Sequence, residues 1–185
     1  EAIQLMRKLW EQDNVDHSGA FYNCTNTSIT PKPFFKPSTP VWIGGRSKAA
    51  ARRVGRVGDG WLVSSATPEE IAIGRNIVFD TAEQCNREIE DDHVGILLGF
   101  YISNTTSNAI TKAEQFVTRN RPDMHFSQLS ALGTTQDICE TIDKYIQAGA
   151  YKIVVRPLCS AEESAEQLTM IGEEVLPQFH KKPKY

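Results

Sequence analysis

The sequence has few cysteines and no long apolar run. Cys24, Cys85, Cys139 and Cys159 lie far apart, and none of them forms a CxxC pair. This spacing argues against a zinc site and gives no disulfide framework for a chain of 185 residues. The apolar runs are also shorter than the roughly 20 residues that cross a membrane. We therefore expect a reduced, cytoplasmic protein without a membrane partner.

A strong charge of either sign is also lacking. The net charge is -3 and the pI is about 5.8, with no extended Lys/Arg tract, so nucleic-acid binding is not expected. Hydrophobic residues make up 40% of the chain and charged residues 23%, which are ordinary values for a globular protein. A chain of this length can bury one core, and we expect a single domain over residues 1–185. The first residues, "EAIQLMRKLW", contain no initiator Met and already follow a helical pattern.

The periodicity predicts an α/β chain. Apolar residues at helical spacing predict a leading helix over residues 1–12, and the Pro-rich segment 14–40 predicts an extended connection. Strands are expected at 41–44, 60–64, 93–103 and 151–157. Helices are expected at 47–57, 67–87, 108–119, 134–149 and 160–175, with capping boxes at Thr67–Glu70 and Ser160–Glu163. Residues 41–177 thus form four βα units, and a tail follows at 178–185.

Alternating apolar strands and helices indicate a parallel sheet that is covered by helices. Two architectures fit this pattern: an open, doubly wound sheet and part of a (β/α)8 barrel. The periodicity does not choose between them.

The stretch "IGGRS" follows the first of these strands and leads into a helix. Parallel α/β folds bind ligands at the C-terminal ends of strands, and helix N-termini favour anions. Gly44 and Gly45 allow the backbone to approach a ligand, Arg46 adds positive charge, and Ser47 can cap the helix. The stretch therefore suits a small phosphate. The alternative is a tight turn that binds nothing, because neither a GxGxxG nor a GK[ST] motif is present.

The longer stretch "PVWIGGRSKAAARRVGRVGDGWL" resembles the signature of the bacterial luciferase-like monooxygenase family. The segments "SGAFY", "PKPFFKPSTPVW", "TPEEI" and "GTTQDICETIDKYIQAGAYKIVVRPL" are similar to that family in the same order. The resemblance implies the C-terminal half of a TIM-like (β/α)8 barrel, with about four parallel βα units and without the N-terminal half.

The resemblance also implies an oxidoreductase that acts on a small organic substrate. Members use reduced FMN with oxygen, or an 8-hydroxy-5-deazaflavin coenzyme that moves a hydride; FMN is the cofactor expected here, and the deazaflavin coenzyme is the alternative. The cofactor phosphate is implied at Gly44, Gly45, Arg46 and Ser47, with Ser64, Ser65 and Arg156 near the same pocket. The alternatives are ordinary loop serines and, for Arg156, an ion pair at the rim. Catalytic residues are expected in the missing half, so this chain alone is expected to be inactive.

Neither of two titratable residues that precede strands is expected to be catalytic. Asp59 and His93 precede their strands, which places them at the N-terminal rim, where residues serve stability. No His/Glu pair shows metal spacing, so no metal is expected.

A half-barrel also leaves open sheet edges and a large apolar face. The inward residues are expected to lose packing partners; the candidates are Trp42, Leu62, Leu97 and Val154. Such a face favours association with another copy, so we expect a homo-oligomer. The alternative to an enzyme is a non-catalytic half-barrel remnant that binds a phosphate-bearing ligand or self-associates. A third interpretation is an unrelated open α/β sheet that binds a phosphorylated metabolite.

Overall fold

Helix α1 (Ala2–Glu11) opens the chain in the computed structural model, which describes residues 1–34, 39–117 and 121–179. An antiparallel hairpin of strands β1 (Val15–Ser18) and β2 (Asn23–Thr27) follows it. The Glu1 carboxylate joins helix and hairpin, because it accepts hydrogen bonds from the backbone amides of Phe21 at 3.0 Å and Tyr22 at 2.7 Å. The extended connection expected over 14–40 is therefore corrected to a connection that contains a hairpin. Its strands are polar and show no apolar alternation, so they carry no strand pattern that could be recognised in the sequence.

Five parallel strands form the central sheet. They are β3 (Trp42–Ile43), β4 (Gly60–Ser64), β5 (Val94–Ile102), β6 (Ser130–Gly133) and β7 (Lys152–Pro157). Strands β3, β4 and β5 are neighbours in that order, and β5 also pairs with β6 and β7. The nine-residue β5 has room for all three partners, since β4 pairs with its first half and β6 with its second half. Strand β6 is an addition to the four strands that the sequence predicted.

Helices connect the strands and cover one face of the sheet. They are α2 (Lys48–Val57), α3 (Pro68–Gln84), α4 (Thr106–Ala113), α5 (Thr135–Gln147), α6 (Ala161–Met170) and α7 (Leu176–Phe179). Helix α4 ends before the predicted boundary at 119, and residues 118–120 lie outside the described part. A π-helical turn, Ile171–Val175, separates α6 from α7. None of the helices in the described ranges is both long and apolar enough to cross a membrane.

Capping side chains fix several helix starts. The capping box predicted at Thr67 and Glu70 is confirmed, with both reciprocal bonds present. A second box joins Thr134 and Asp137 at the start of α5, where the sequence analysis expected none. Ser160 accepts a hydrogen bond from the Glu163 amide at 3.3 Å, which is one half of the box predicted there.

The two faces of the sheet differ in burial. One face packs under the helices, with Trp61, Val63, Ile96 and Leu98 almost fully buried. The opposite face carries the residues expected to point inward, and Leu97 and Val154 remain 37% and 44% exposed there. Strand register aligns Ser64, Leu97 and Val154 in one row across β4, β5 and β7. This less covered face is called the open face below.

Gly74 marks the contact of α3 with β4, and it supplies a stability test. A Cβ at Gly74 would overlap the six-membered ring of Trp61, whereas a Cβ at Gly172 would meet no atom within 4 Å. We expect Gly74→Ala to reduce the free energy of unfolding by about 1–3 kcal/mol, since overpacking outweighs the gain in helix propensity. Gly172→Ala is the control and should not destabilise the protein. Urea unfolding followed by circular dichroism measures both, and equal stability of the two variants would contradict the packing argument.

Candidate functional site

A cavity of about 250 Å³ lies where the strands of the sheet end. It is lined by residues at the C-terminal ends of β4 and β7, in the middle of β5 and at the start of β6, and by residues between α4 and β6. The lining residues are Ser64, Ser65, Leu97, Gly99, Val117, Phe126, Leu129, Ser130, Arg156 and Leu158. This is the end at which parallel α/β folds bind ligands. The cavity therefore has an apolar wall and a polar side.

Three serines and one arginine form the polar side. Ser64, Ser65 and Ser130 offer hydroxyl groups, and Arg156 offers the only positive charge in the lining. Within the described residues, the guanidinium of Arg156 has no ion-pair or hydrogen-bond partner, so the alternative of a rim ion pair finds no support there. Gly99 lies directly opposite Arg156 on β5, and the Leu158 side chain packs where a Cβ of residue 99 would lie. An exposed, unpaired guanidinium beside hydroxyl donors suits an anion.

The turn Gly44–Ser47 lies next to this cavity without lining it. Gly45 has a φ of +100°, which glycine adopts readily and other residues rarely do. Its carbonyl accepts a hydrogen bond of 2.8 Å from the indole Nε1 of Trp61. The Ser47 hydroxyl accepts a bond from the Ala50 amide at 3.1 Å, so this serine is the N-cap of α2. The turn is exposed, and the first amides of α2 remain able to face a ligand.

Ser65 connects the turn to the cavity. Its φ of +53° is unusual for a serine, and its carbonyl points toward two arginines. Arg46 donates to this carbonyl at 3.4 Å, and Arg121 donates to it at 3.1 Å. The structure thus brings Arg46 close to the rim, while Ser64, Ser65 and Arg156 lie in the lining itself.

Arg121 is a site residue that the sequence analysis did not single out. Its side chain is 7% exposed and forms ion pairs with Glu70 at 2.7 Å and Asp123 at 2.5 Å. The hydrogen bond from Arg121 lowers the pKa of Asp123 to about 2. Partial burial raises the pKa of Glu70, but the hydrogen bonds from Arg121 and the Thr67 amide outweigh it and hold that pKa below its usual value. Two of its partners, Ser65 and Glu70, lie more than 50 positions away, so sequence spacing carried no signal for these contacts.

Asp59 lies at the opposite end of the strands, as its position in the sequence indicated. It pairs with Arg7 of α1 at 2.6 Å and with Arg87 at 3.2 Å, and it accepts a bond from the Val41 amide at 2.8 Å. The carboxylate therefore joins α1, the start of β3 and the end of α3. His93 is close by, and its Nδ1 lies 2.7 Å from the Asp59 carbonyl oxygen.

Comparison with known proteins identifies the class. The family profile of luciferase-like monooxygenases matches residues 1–145, and the chain belongs to this family. Among curated proteins, it is 36% identical over 93 residues to an F420-dependent glucose-6-phosphate dehydrogenase of Mycolicibacterium fortuitum, which is 49% of this chain and 27% of that protein. An enzyme of the same name from Mycobacterium tuberculosis is 38% identical over 71 residues, or 38% of this chain and 20% of its own length. The matched region thus spans about a quarter of these relatives.

Solved structures show the same fold. An F420-dependent secondary alcohol dehydrogenase with an F420–acetone adduct aligns with a TM-score of 0.81 at 15% identity, over 97% of this chain and 60% of the other. Monooxygenase RslO1 from Streptomyces bottropensis aligns at 0.78 with 17% identity, over 96% and 60%. An FMN complex of the oxygenating constituent of 3,6-diketocamphane monooxygenase from Pseudomonas putida aligns at 0.72 with 12% identity, over 96% and 61%. The predicted fold class, half of a (β/α)8 barrel with parallel βα units, is confirmed.

The Arg121 cluster gives a pH prediction. Carboxylates with a lowered folded-state pKa stabilise the protein above their unfolded pKa, and this contribution is lost as pH falls through the folded value. The unfolded values are 4.5 for Glu70 and 3.8 for Asp123, and the folded value of Asp123 is about 2. We therefore expect the melting temperature to fall between about pH 4.5 and pH 2, and to fall less in Arg121→Met.

Arg75→Met serves as the control, because Arg75 pairs with the exposed Asp91. That variant should keep the acid dependence of the parent protein. Thermal unfolding at a series of pH values measures all three proteins. A parallel acid profile for Arg121→Met and the parent would contradict the assignment.

Proposed function

We propose that the cavity binds the phosphate-bearing part of a flavin-type cofactor, and that the chain forms the cofactor-anchoring part of an oxidoreductase acting on a small organic substrate. The observation that carries this proposal is the unpaired Arg156 in one cavity with Ser64, Ser65 and Ser130. A guanidinium with nearby hydroxyl groups offers several donors to a phosphate, and its position at the C-terminal strand ends agrees with the usual ligand end of such folds.

The turn Gly44–Ser47 is proposed as the second anchor. The N-terminus of α2 carries partial positive charge, and Arg46 adds a full one beside it. Since Arg46 already reaches the Ser65 carbonyl at 3.4 Å, the same side chain is close enough to the cavity rim to contact an anion there. The two anchors would hold one phosphate group, or neighbouring phosphate groups, from two sides.

The choice of cofactor rests on the relatives. The named curated relatives are F420-dependent, whereas the structural neighbours include both F420 and FMN proteins. Sequence identity above 30% favours the deazaflavin coenzyme, and FMN is the alternative. When bound, a deazaflavin supplies hydride transfer and a reduced FMN supplies oxygen chemistry.

The role of this chain is binding and orientation. The residues that line the cavity include no histidine and no carboxylate within the described part of the chain. The apolar wall of Val117, Phe126 and Leu129 can exclude water from one side of a bound ring or substrate. We propose that the groups that move protons in the reaction come from elsewhere in the whole protein.

A cytoplasmic location is proposed as well. All four cysteines are free thiols, as expected of a protein in a reducing compartment.

Arg156→Ala tests the cofactor proposal. Loss of charged hydrogen bonds to a phosphate costs about 1.5–3 kcal/mol, so we expect the Kd for the cofactor to rise at least tenfold. The melting temperature should not change, because Arg156 has no partner within the described residues. Fluorescence titrations with F420 and with FMN measure affinity and also decide between the two cofactors.

Arg53→Ala provides the matched control, since Arg53 lies exposed on α2. It removes the same charge from the protein without touching the cavity. An Arg156→Ala variant that binds as tightly as the Arg53→Ala control would place the phosphate elsewhere. Absence of saturable binding of both cofactors to the parent chain would remove the proposal itself.

Self-association is the second candidate, and the exposure of the open face favours it. Leu97 and Val154 lie in one row of the sheet and are more than one third exposed, with Leu62 and Trp42 beside them. Burying this apolar surface between two copies would remove it from water. We propose a homo-oligomer formed through this face.

Val154→Asp tests the interface by size-exclusion chromatography with light scattering. A charge on the open face should shift the chain from oligomer to monomer. Ile146→Asp is the control, because Ile146 lies on α5 and is also 44% exposed. A monomeric parent chain, or equal behaviour of the two variants, would contradict an interface at this face.

A further inference from the structure

A polar turn precedes β5, at the end of the sheet remote from the cavity. The His93 amide donates to the Glu90 carbonyl at 2.9 Å, which closes a four-residue turn. The turn gathers one ligand atom each from Glu90, Asp92 and His93 within 4.8 Å of one another. No metal was expected from the sequence, because no His/Glu pair shows metal spacing.

The fold fixes the tautomer of His93. Its Nδ1 lies 2.7 Å from the Asp59 carbonyl oxygen. A carbonyl oxygen can only accept a hydrogen bond, so Nδ1 carries the proton. In the neutral ring, Nε2 then holds a lone pair. The ring is also held by Trp42, whose centroid lies 5.1 Å away.

That lone pair lies between two carboxylates. Nε2 is 3.7 Å from Oδ1 of Asp92 and 3.9 Å from Oε2 of Glu90. These distances are too long for hydrogen bonds. Oδ1 of Asp92 is shielded from solvent and has no hydrogen-bond partner among the described residues. Its other oxygen, Oδ2, is 3.1 Å from the Lys152 ammonium. With a neutral imidazole, three acceptor atoms thus converge without a donor between them. The Asp92 side chain is 42% exposed as a whole, but its Oδ1 is shielded, and a shielded oxygen without a partner is costly.

We propose that Glu90, Asp92 and His93 bind a divalent transition-metal ion of the Zn²⁺ type. Zinc lies about 2.0–2.2 Å from nitrogen and carboxylate ligands in a tetrahedral arrangement, which places two ligand atoms roughly 3.3–3.6 Å apart. The distances from Nε2 of His93 to Asp92 and Glu90, 3.7 Å and 3.9 Å, exceed this spacing by a few tenths of an ångström. Glu90 has a 77% exposed side chain and can close the remaining gap by a small movement. One imidazole and two carboxylates match this class of metal better than Ca²⁺ or Mg²⁺, which prefer oxygen ligands throughout.

The arrangement has a second feature of metal sites. The Nδ1–H bond to the Asp59 carbonyl is the outer interaction that commonly orients a metal-binding histidine. Lys152 opposes the ion, but with Glu90 and Asp92 it leaves one net negative charge at the turn. The cavity lining begins at Leu97 and Gly99 of β5, four to six residues after His93, which corresponds to about 13–20 Å along the strand. The ion would therefore clamp the turn that leads into β5, and it would not take part in the reaction.

Titration of the purified chain with ZnCl₂ tests the proposal by calorimetry and thermal unfolding. We expect one Zn²⁺ per chain and a rise in melting temperature, because binding requires the folded turn. His93→Asn should weaken binding at least tenfold. The asparagine amide can replace Nδ1–H at the Asp59 carbonyl, but it offers no ligand where Nε2 lies. Glu90→Gln should weaken binding as well, and it changes an exposed side chain.

Asp91→Asn is the matched control. Asp91 belongs to the same turn, but its carboxylate pairs with Arg75 at 2.8 Å. This variant should bind Zn²⁺ as the parent does. Zinc binding that survives in both His93→Asn and Glu90→Gln would overturn the proposal and point to other ligands, such as the cysteines. The proposal also fails if Zn²⁺ leaves the melting temperature of the parent unchanged.

Discussion

The buried side chain of Trp61 connects the turn that carries Gly45 to α3 and the core, and the candidate site depends on this contact. Its indole is 1% exposed, and its Nε1 donates to the Gly45 carbonyl at 2.8 Å. The ring occupies the space that the missing side chain of Gly74 leaves in α3. A buried indole N–H needs a partner, so the turn that carries Gly45 is held against the core. The orientation of the exposed Gly44–Ser47 turn is therefore a consequence of core packing.

The two ends of the strands have different tasks. At the N-terminal end, Asp59 connects α1, β3 and α3 through Arg7, Arg87 and the Val41 amide. These three contacts commit the carboxylate to holding the elements together. At the C-terminal end, Arg156 has no partner within the described residues and lies beside hydroxyl groups. Asp59, which is paired, thus lies at the end of the strands that serves stability in barrels, and the unpaired guanidinium of Arg156 lies at the end that binds ligands.

The sequence predicted the elements that have a strong local pattern. The strand Gly60–Ser64 lies at its predicted bounds, because its apolar run is bounded by turn residues on both sides. Strand β6 was missed, since four residues with little β-branched content resemble a loop. For the candidate site, Ser64 lies at a predicted strand end and Arg156 was indicated by the family resemblance; the structure brings both into one cavity lining, and their role in binding stays a prediction. Arg121 could not be predicted, because its partners are brought to it by tertiary packing.

The distribution of positive charge limits how an anion could be held. The positive charge of Arg121 is neutralised by Glu70 and Asp123, so it is not available to a bound anion. Arg156 is uncommitted, and Arg46 makes a long contact of 3.4 Å that is easily exchanged. A phosphate carries up to two negative charges, which one exposed guanidinium balances incompletely. The proposed anion site is therefore expected to use Arg156 and Arg46 together, with Arg121 holding the Ser65 carbonyl in place when Arg46 turns toward the ligand.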